Sequence, residues 1–537
     1  MGVVEQHSHE RRWWILAVLC FSLLVIVLDN SILNVAIPTI IGDLNASNSE
    51  LQWIVDSYTL VFAGLLLTAG ALGDRFGRRG ALQLGFVIFG AGSVLAALSQ
   101  SAGQLIGTRA IMGIGGAFIM PATLSIITNV FPPHERGRAI GVWAGVAGLG
   151  GALGPLTGGF LVEHFYWGSV FLVNVPIVVV GLVAGFLLIP DSRDPSAPRL
   201  DPIGALLSIV SLTALLYAII EAPAEGWGEP RIMATLVAGV VLLVAFVLWE
   251  RHSSHPMLDV TFFKNPRFSA ASGSITVVFF AMFGSIFLLT QYFQFVLGYA
   301  PLETGIRMLP FAGTMMVVAP TSARVVERVG TKITVTTGMS LVTFGLVSMS
   351  LLQVDSSYGQ VAWRLMVMAA GMGLTMAPAT DSVMGSLPLG KAGVGSAVND
   401  TTRQVGGALG VAIIGSVLAS TYGSKVGDFL RGFGVPDEAV EAATSSLGGA
   451  NAVAAQAPGA QGARLMEVAN QAFVDAMHWG VLVAAGVTAV GAVMALLFLP
   501  AHARAANRAG QDDEFLTEHA EDTDAELIRR ELGTDAG

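Results

Sequence analysis

Gly73-Asp74-Arg75-Phe76-Gly77-Arg78-Arg79 stands at the end of the second of a long series of apolar stretches. Charges crowd together here as nowhere else in the first half of a chain that is 53% hydrophobic and only 12% charged. A soluble protein carries about 25% charged residues. The runs on either side are of bilayer-crossing size, about 20 residues. The stretch therefore reads as a short loop at a membrane surface between two spanning helices. Positive charge alone would serve such a loop; the two glycines and the aspartate ask for a further explanation.

Working outward, fourteen apolar runs follow one another, from Trp13–Ile37 to Met477–Leu499. Their length argues for helices over strands. The first run is too long for a signal-peptide core and lacks a cleavage site, so it reads as a retained helix. Lys and Arg flank the runs unevenly. With Arg11 and Arg12 placed in the cytoplasm, 20 basic residues fall in cytoplasmic segments and six outside, while Arg109 and Arg403 lie within spans. The positive-inside bias thus predicts two cytoplasmic termini. The net charge of −10 is mostly a property of the tail from Gln511 onward, which has ten acids and two arginines. Such a segment is expected to be a disordered cytoplasmic tail and carries no information on substrate. The single cysteine, Cys20, lies within the first run and can form no intramolecular disulfide.

The chain repeats itself. Met120-Pro121-Ala122-Thr123 in span 4 recurs as Ala377-Pro378-Ala379-Thr380 in span 12. Gly150-Gly151-Ala152-Leu153-Gly154 in span 5 recurs as Gly406-Gly407-Ala408-Leu409-Gly410 in span 13. Nearly equal offsets divide the chain into six helices, two additional helices and six more. The expected units are an N-terminal bundle (1–190), an inserted pair with linkers (191–267), a C-terminal bundle (268–505) with a long extracellular loop (421–476), and the tail (506–537). Internal repeats build transporters whose central site opens to each side in turn.

The fifth span carries Gly141, Gly150, Gly154, Pro155, Gly158 and Gly159. Small residues at these spacings form a face that lets another helix approach closely, and the proline allows bending. Span 1 reads Leu28-Asp29-Asn30-Ser31-Ile32-Leu33-Asn34, and span 2 opens Gln52-Trp53-Ile54-Val55-Asp56. Together with the 73–79 stretch and Arg109-Ala110-Ile111-Met112-Gly113, these motifs resemble the major facilitator superfamily. With fourteen spans, the chain is similar to its drug:proton antiporter branch. The resemblance covers nearly the whole length. It implies an all-α membrane fold of two six-helix bundles plus two inserted helices, located in a prokaryotic plasma membrane. It also implies an antiporter role for the span-5 pattern and a gating role for Gly73, Asp74, Arg75, Gly77, Arg78 and Arg79. Asp74 at a helix end could meet a basic loop residue and the positive N-terminus of span 13, locking the inner gate. Met112 replaces the glutamine usual in the span-4 signature.

Charges within the bilayer are costly and mark function. At about 1.5 Å rise per residue, Asp29, Asp56 and Arg109 all fall roughly 6–12 Å inside their helices, in the outer half of the first bundle. Asp29 and Asp56 are candidates to exchange protons for a cationic or amphiphilic substrate; the alternative is a static Asp–Arg pair that holds helices together. Asp400 and Arg403 share a helix face and read as a local ion pair or a second coupling site. Gln291 and Gln294 are the candidate lining of the second half, and Asn34 that of the first.

The expected function is proton-coupled export of lipophilic or cationic drugs by alternating access. Export of one dedicated metabolite, lipid or siderophore, a nutrient symporter and a non-transporting sensor remain as alternatives. No catalytic residue, metal or cofactor is expected; the proton gradient supplies the energy. The near-match to a phosphate loop at Gly385–Lys391 lacks its final hydroxyl residue and has no preceding strand. The expected partners are a small lipophilic substrate, protons and the bilayer, with no nucleic acid, and the chain is expected to act as a monomer.

Overall fold

The computed structural model describes residues 3–44, 46, 48–194, 201–431, 436–456 and 459–501. The tail expected at 506–537 lies outside the described residues, as do the side chains of Asn34 and Pro155. The first six helices are α1 (Val3–Leu44), α2 (Asn48–Phe76), α3 (Arg78–Ala97), α4 (Ala102–Val130), α5 (Pro133–His164) and α6 (Ser169–Leu188, with a break at Val173). The inserted hairpin is α7 (Pro202–Glu225) and α8 (Pro230–His252). The segment Pro301–Met349 is one hydrogen-bonded run with non-helical geometry at Gly330 (φ 85°, ψ 163°). It divides there into α10 (301–329) and α11 (331–349). With α9 (Pro266–Gln291), α12 (Tyr358–Met384), α13 (Ala392–Arg431) and α16 (Gly459–Phe498), the described helices supply the fourteen spans read from hydropathy.

Local chemistry sets the helix starts. Proline opens α5, α7, α8, α9 and α10, where its missing N–H costs nothing. Ser101 and Asn265 cap α4 and α9 by accepting from Gln104 and Arg267 backbone N–H groups. Within the apolar spans, hydroxyls bond to carbonyls of their own helix, as Ser22 does to Val18 and Thr128 to Leu124. Polar side chains are thereby satisfied without solvent.

The repeat is visible as packing. In the first half the fifth helix crosses the first, with Gly150 against Val27 and Gly154 against Ser31. In the second half α13 crosses α9 in the same way, with Gly406 against the Thr276 backbone and Gly410 against Phe280. The turn from second to third helix uses a left-handed glycine in both halves, Gly77 (φ 113°) and Gly330. A side chain is disfavoured at that φ; Gly77, and Gly330 at the end of a degraded second-half copy of the stretch (Arg324, Glu327, Arg328, Gly330), owe their presence partly to this.

Each fifth helix also crosses the second helix of the other half. A methyl group at Gly141 of α5 would sit 2.5 Å from the Ala319 carbonyl oxygen and 2.7 Å from Pro320 Cα in α10. At Gly70 of α2 it would lie 2.6 Å from the Gly393 carbonyl of α13. Gly151, on the same helix as Gly141, has open space around it. Gly141→Ala is expected to destabilise the chain by about 1–3 kcal/mol through overpacking, and Gly151→Ala by almost nothing. Thermal unfolding of both purified variants checks this, and equal shifts would refute the α5–α10 crossing.

Residues 421–476 are largely helical. The helix α13 continues past the span to Arg431, α14 (Asp437–Ser445) and α15 (Leu447–Gln456) follow, and α16 begins at Gly459. Tyr422, Leu430, Ala443, Leu447, Leu465 and Phe473 are buried with the second-half core. The Tyr422 hydroxyl donates to the Ala443 carbonyl oxygen at 3.1 Å, and Lys425 pairs with Asp475 at 2.5 Å. The helix-like pieces expected at 436–445 and 462–476 are thus parts of a packed cap at the end opposite the 73–79 stretch.

Candidate functional site

Among the described residues, the charged residues singled out in the sequence are distributed over four polar clusters. The first lies inside the N-terminal bundle. Asp29 of α1 and Arg109 of α4 are both fully buried. Arg109 donates to Asp29 Oδ2 at 2.5 Å, and Asn174 of α6 donates to Oδ1 at 2.8 Å. The guanidinium also donates to the Ile54 carbonyl and lies 4.3 Å from the Tyr58 ring centroid. Every contact comes from the same bundle. Asn174 escaped the sequence analysis; its signal is a lone amide in an otherwise apolar run.

Asp56 is not part of that pair, although the sequence analysis grouped it with Asp29 and Arg109. It is 9% exposed and faces the inserted helix α7. Gln52, one turn earlier on α2, donates to Glu221 Oε2 of α7 at 3.0 Å, and Glu221 is the charged neighbour of Asp56. Asp56 Oδ2 has no hydrogen-bond partner. Glu221 is a residue the sequence analysis missed. It follows the apolar run ending at Ile220 by one position, whereas the helix continues to Glu225.

The third cluster joins the halves at mid-helix. Asp400 and Arg403 of α13 are buried, and their closest approach is 3.9 Å. That distance is long for a charge-assisted hydrogen bond. Arg403 instead stacks against Trp143 of α5 at 4.6 Å and Phe279 of α9 at 5.2 Å. Asp400 Oδ2 and Arg403 Nε carry no hydrogen bond. Gln291 donates to the Phe287 carbonyl oxygen of its own helix at 3.4 Å, and Gln294 falls in the π-helical turn Tyr292–Val296.

The fourth cluster is the 73–79 stretch itself, and here sequence and structure agree in detail. Asp74 Oδ1 accepts from the Gly393 N–H at 2.8 Å and Oδ2 from the Val394 N–H at 3.0 Å. These are free donors in the first turn of α13, where the helix dipole also favours an anion. Arg78 donates to Asp74 at 2.9 Å and to the carbonyls of Leu389 and Gly390. One carboxylate and one guanidinium thereby tie the first half to the second. Arg75 lies over Phe76, and Arg79 reaches the Ile189 carbonyl. Gly73 and Gly77 close the turn, with a methyl at Gly77 meeting Asp191 at 2.8 Å. At the same end, Asp381 of α12 lies within the field of both Arg136 of α5 and Arg267 of α9.

The span-5 glycines serve two surfaces. Gly141 meets α10, whereas Gly150 and Gly154 meet α1; Gly158 is buried, and a methyl at Gly159 would meet Leu302 at 3.8 Å.

Two matched halves clamped at one end by a charged loop match a known family model, the Major Facilitator Superfamily, over residues 19–411. The chain belongs to that superfamily. It is 36% identical over 490 residues to the multidrug efflux pump LfrA of Mycolicibacterium smegmatis, covering 91% of this chain and 96% of that protein. It is 34% identical to the methyl viologen resistance protein SmvA of Salmonella typhimurium, covering 86% and 93% respectively. The fold is similar to that of the human organic anion transporter MFSD10, with a TM-score of 0.56 at 14% identity over 92% of this chain and 100% of that one. The chain is a multi-pass membrane protein of a transporter superfamily, all-helical in its described residues.

Proposed function

We propose that this chain is a proton-coupled exporter of lipophilic or cationic drugs, working by alternating access in a prokaryotic plasma membrane with both termini cytoplasmic. The relatives' names, multidrug efflux and methyl viologen resistance, support the substrate class. The observation that carries alternating access is the Asp74 clamp on the α13 N-terminus. It joins the halves through polar contacts at one end, beside the glycine crossings of α2 on α13 and of α5 on α10, so breaking it releases the halves at that end. In this reading the clamped end is cytoplasmic and the structure is closed to the cytoplasm. Substrate and proton reach the intramembrane acids from outside in this state and from inside once the clamp breaks.

Among the acids, Asp56 is the proton exchanger we favour. Both oxygens of Asp29 already accept from Arg109 and Asn174, so a proton arriving there must displace a donor. Asp56 keeps one oxygen unengaged. Asp56→Asn is expected to slow pH-gradient-driven ethidium efflux from proteoliposomes by at least about tenfold, a barrier change of about 1.4 kcal/mol. Substrate-induced proton release would disappear with it. Unchanged coupling in this variant would rule out Asp56 as the exchanger.

A further inference from the structure

The α7–α8 hairpin sits against the seam where the halves meet: α7 packs on both α2 and α13. One polar patch interrupts the apolar contact between α2 and α7. On α2, Asp56 follows Gln52 by four residues and Trp53 by three, so it shares a face with each. On α7, Tyr217 and Glu221 also share a face. Trp53 and Tyr217 stack across the seam with centroids 6.0 Å apart and planes 29° from parallel. Gln52 bridges toward Glu221, the two carboxylates approach, and Arg231 lies within the field of Glu221. Arg231 stands nearer the surface, exposed, where it donates to the Tyr217 hydroxyl at 2.5 Å and meets Glu225 at 3.5 Å.

Two like charges in a bilayer-depth seam are unfavourable unless something positive joins them. Asp56 is nine-tenths buried, and its Oδ2 has no partner. An aromatic pair beside two neighbouring carboxylates is the chemistry that recognises a flat organic cation. A second carboxylate adds attraction in proportion to the second positive charge of the ligand.

We propose that Asp56 and Glu221, with Gln52 and the Trp53–Tyr217 stack, form a binding site for planar organic dications at the seam between α2 and the inserted helix α7. The site deepens the exporter reading, on which its role in transport rests, by making the inserted hairpin a determinant of specificity. Glu221 rewards a second positive charge, whereas a monocation is satisfied by Asp56 alone.

Binding is measured on the full-length protein in nanodiscs with methyl viologen as dication and ethidium as monocation. Glu221→Gln keeps the shape and the Gln52 contact. It is expected to weaken methyl viologen at least about tenfold, worth about 1.4 kcal/mol, and ethidium by no more than about a fifth of that factor. Glu221→Asp is expected to recover most of the dication preference, and Glu225→Gln, one turn nearer the surface, to leave both ligands unaffected. Equal weakening of both cations by Glu221→Gln, or of neither, overturns the site. The assay is independent of transport. If proteoliposomes carry no pH-driven flux while the dication-selective loss persists, the exporter reading fails and the site stands.

Discussion

Arg109→Met is expected to destabilise the folded chain by about 3–5 kcal/mol, the cost of leaving a buried charge without its partner. Asp29 is sealed from solvent and would keep Asn174 as its one donor. The Ile54 carbonyl and the Tyr58 ring would lose the guanidinium as well. The double variant Asp29→Asn/Arg109→Met removes the charge together with its partner. It is expected to regain most of the loss, because replacing a whole buried pair is often close to neutral. Thermal unfolding of the two variants in one detergent makes the comparison. A single variant as stable as the double would mean that the pair does not bind the bundle together.

The second large effect is expected at Asp74. In Asp74→Asn one acceptor oxygen remains, but the negative charge that faces both the α13 N-terminus and Arg78 is gone. Arg78 is 1% exposed and would be left with only the Leu389 and Gly390 carbonyls. Hydrogen bonds to charged groups contribute about 1.5–3 kcal/mol each, so losing the charge weakens the clamp by about 3 kcal/mol. The balance between clamped and open states shifts roughly 100-fold. Spin labels at Gly80 and at Val329, both exposed and on opposite halves at the clamped end, report the separation directly. The short-distance population is expected to fall and efflux to slow with it. An unaltered distance distribution would show that Asp74 does not hold the halves together. The buried native Cys20 leaves introduced cysteines free to be labelled selectively.

Particular residues show how far sequence reasoning reached. Asp74 met the N-terminus of α13 as expected, because an acid at a helix end beside free N–H donors has few alternatives. The GGALG repeat also predicted packing correctly: both copies let a fifth helix approach the first of its half. Gly330 could be read as a degraded copy of the loop, though only its backbone angles show that it divides Pro301–Met349 into two spans. Reasoning failed where partners come from distant segments. Depth along the helix placed Asp29, Asp56 and Arg109 at similar heights, yet rotation about the helix axis separates them. Asp29 turns inward to Arg109, and Asp56 turns outward to α7. Depth follows from counting residues, whereas azimuth depends on how neighbouring helices pack. Glu221 was missed because hydropathy ends a span at the first charge, while the backbone hydrogen bonds continue for another turn.

The membrane class, the apolar helices and the charged stretch at 73–79 are therefore written in the chain itself. They rest on local properties: apolar length, charge bias and glycine spacing. Which acid is sealed by an arginine and which is left with a free oxygen beside the inserted hairpin is a matter of tertiary structure. Gln52 and Glu221 are 169 residues apart, and a contact across that separation exists only once the helices have chosen which faces to bury against one another.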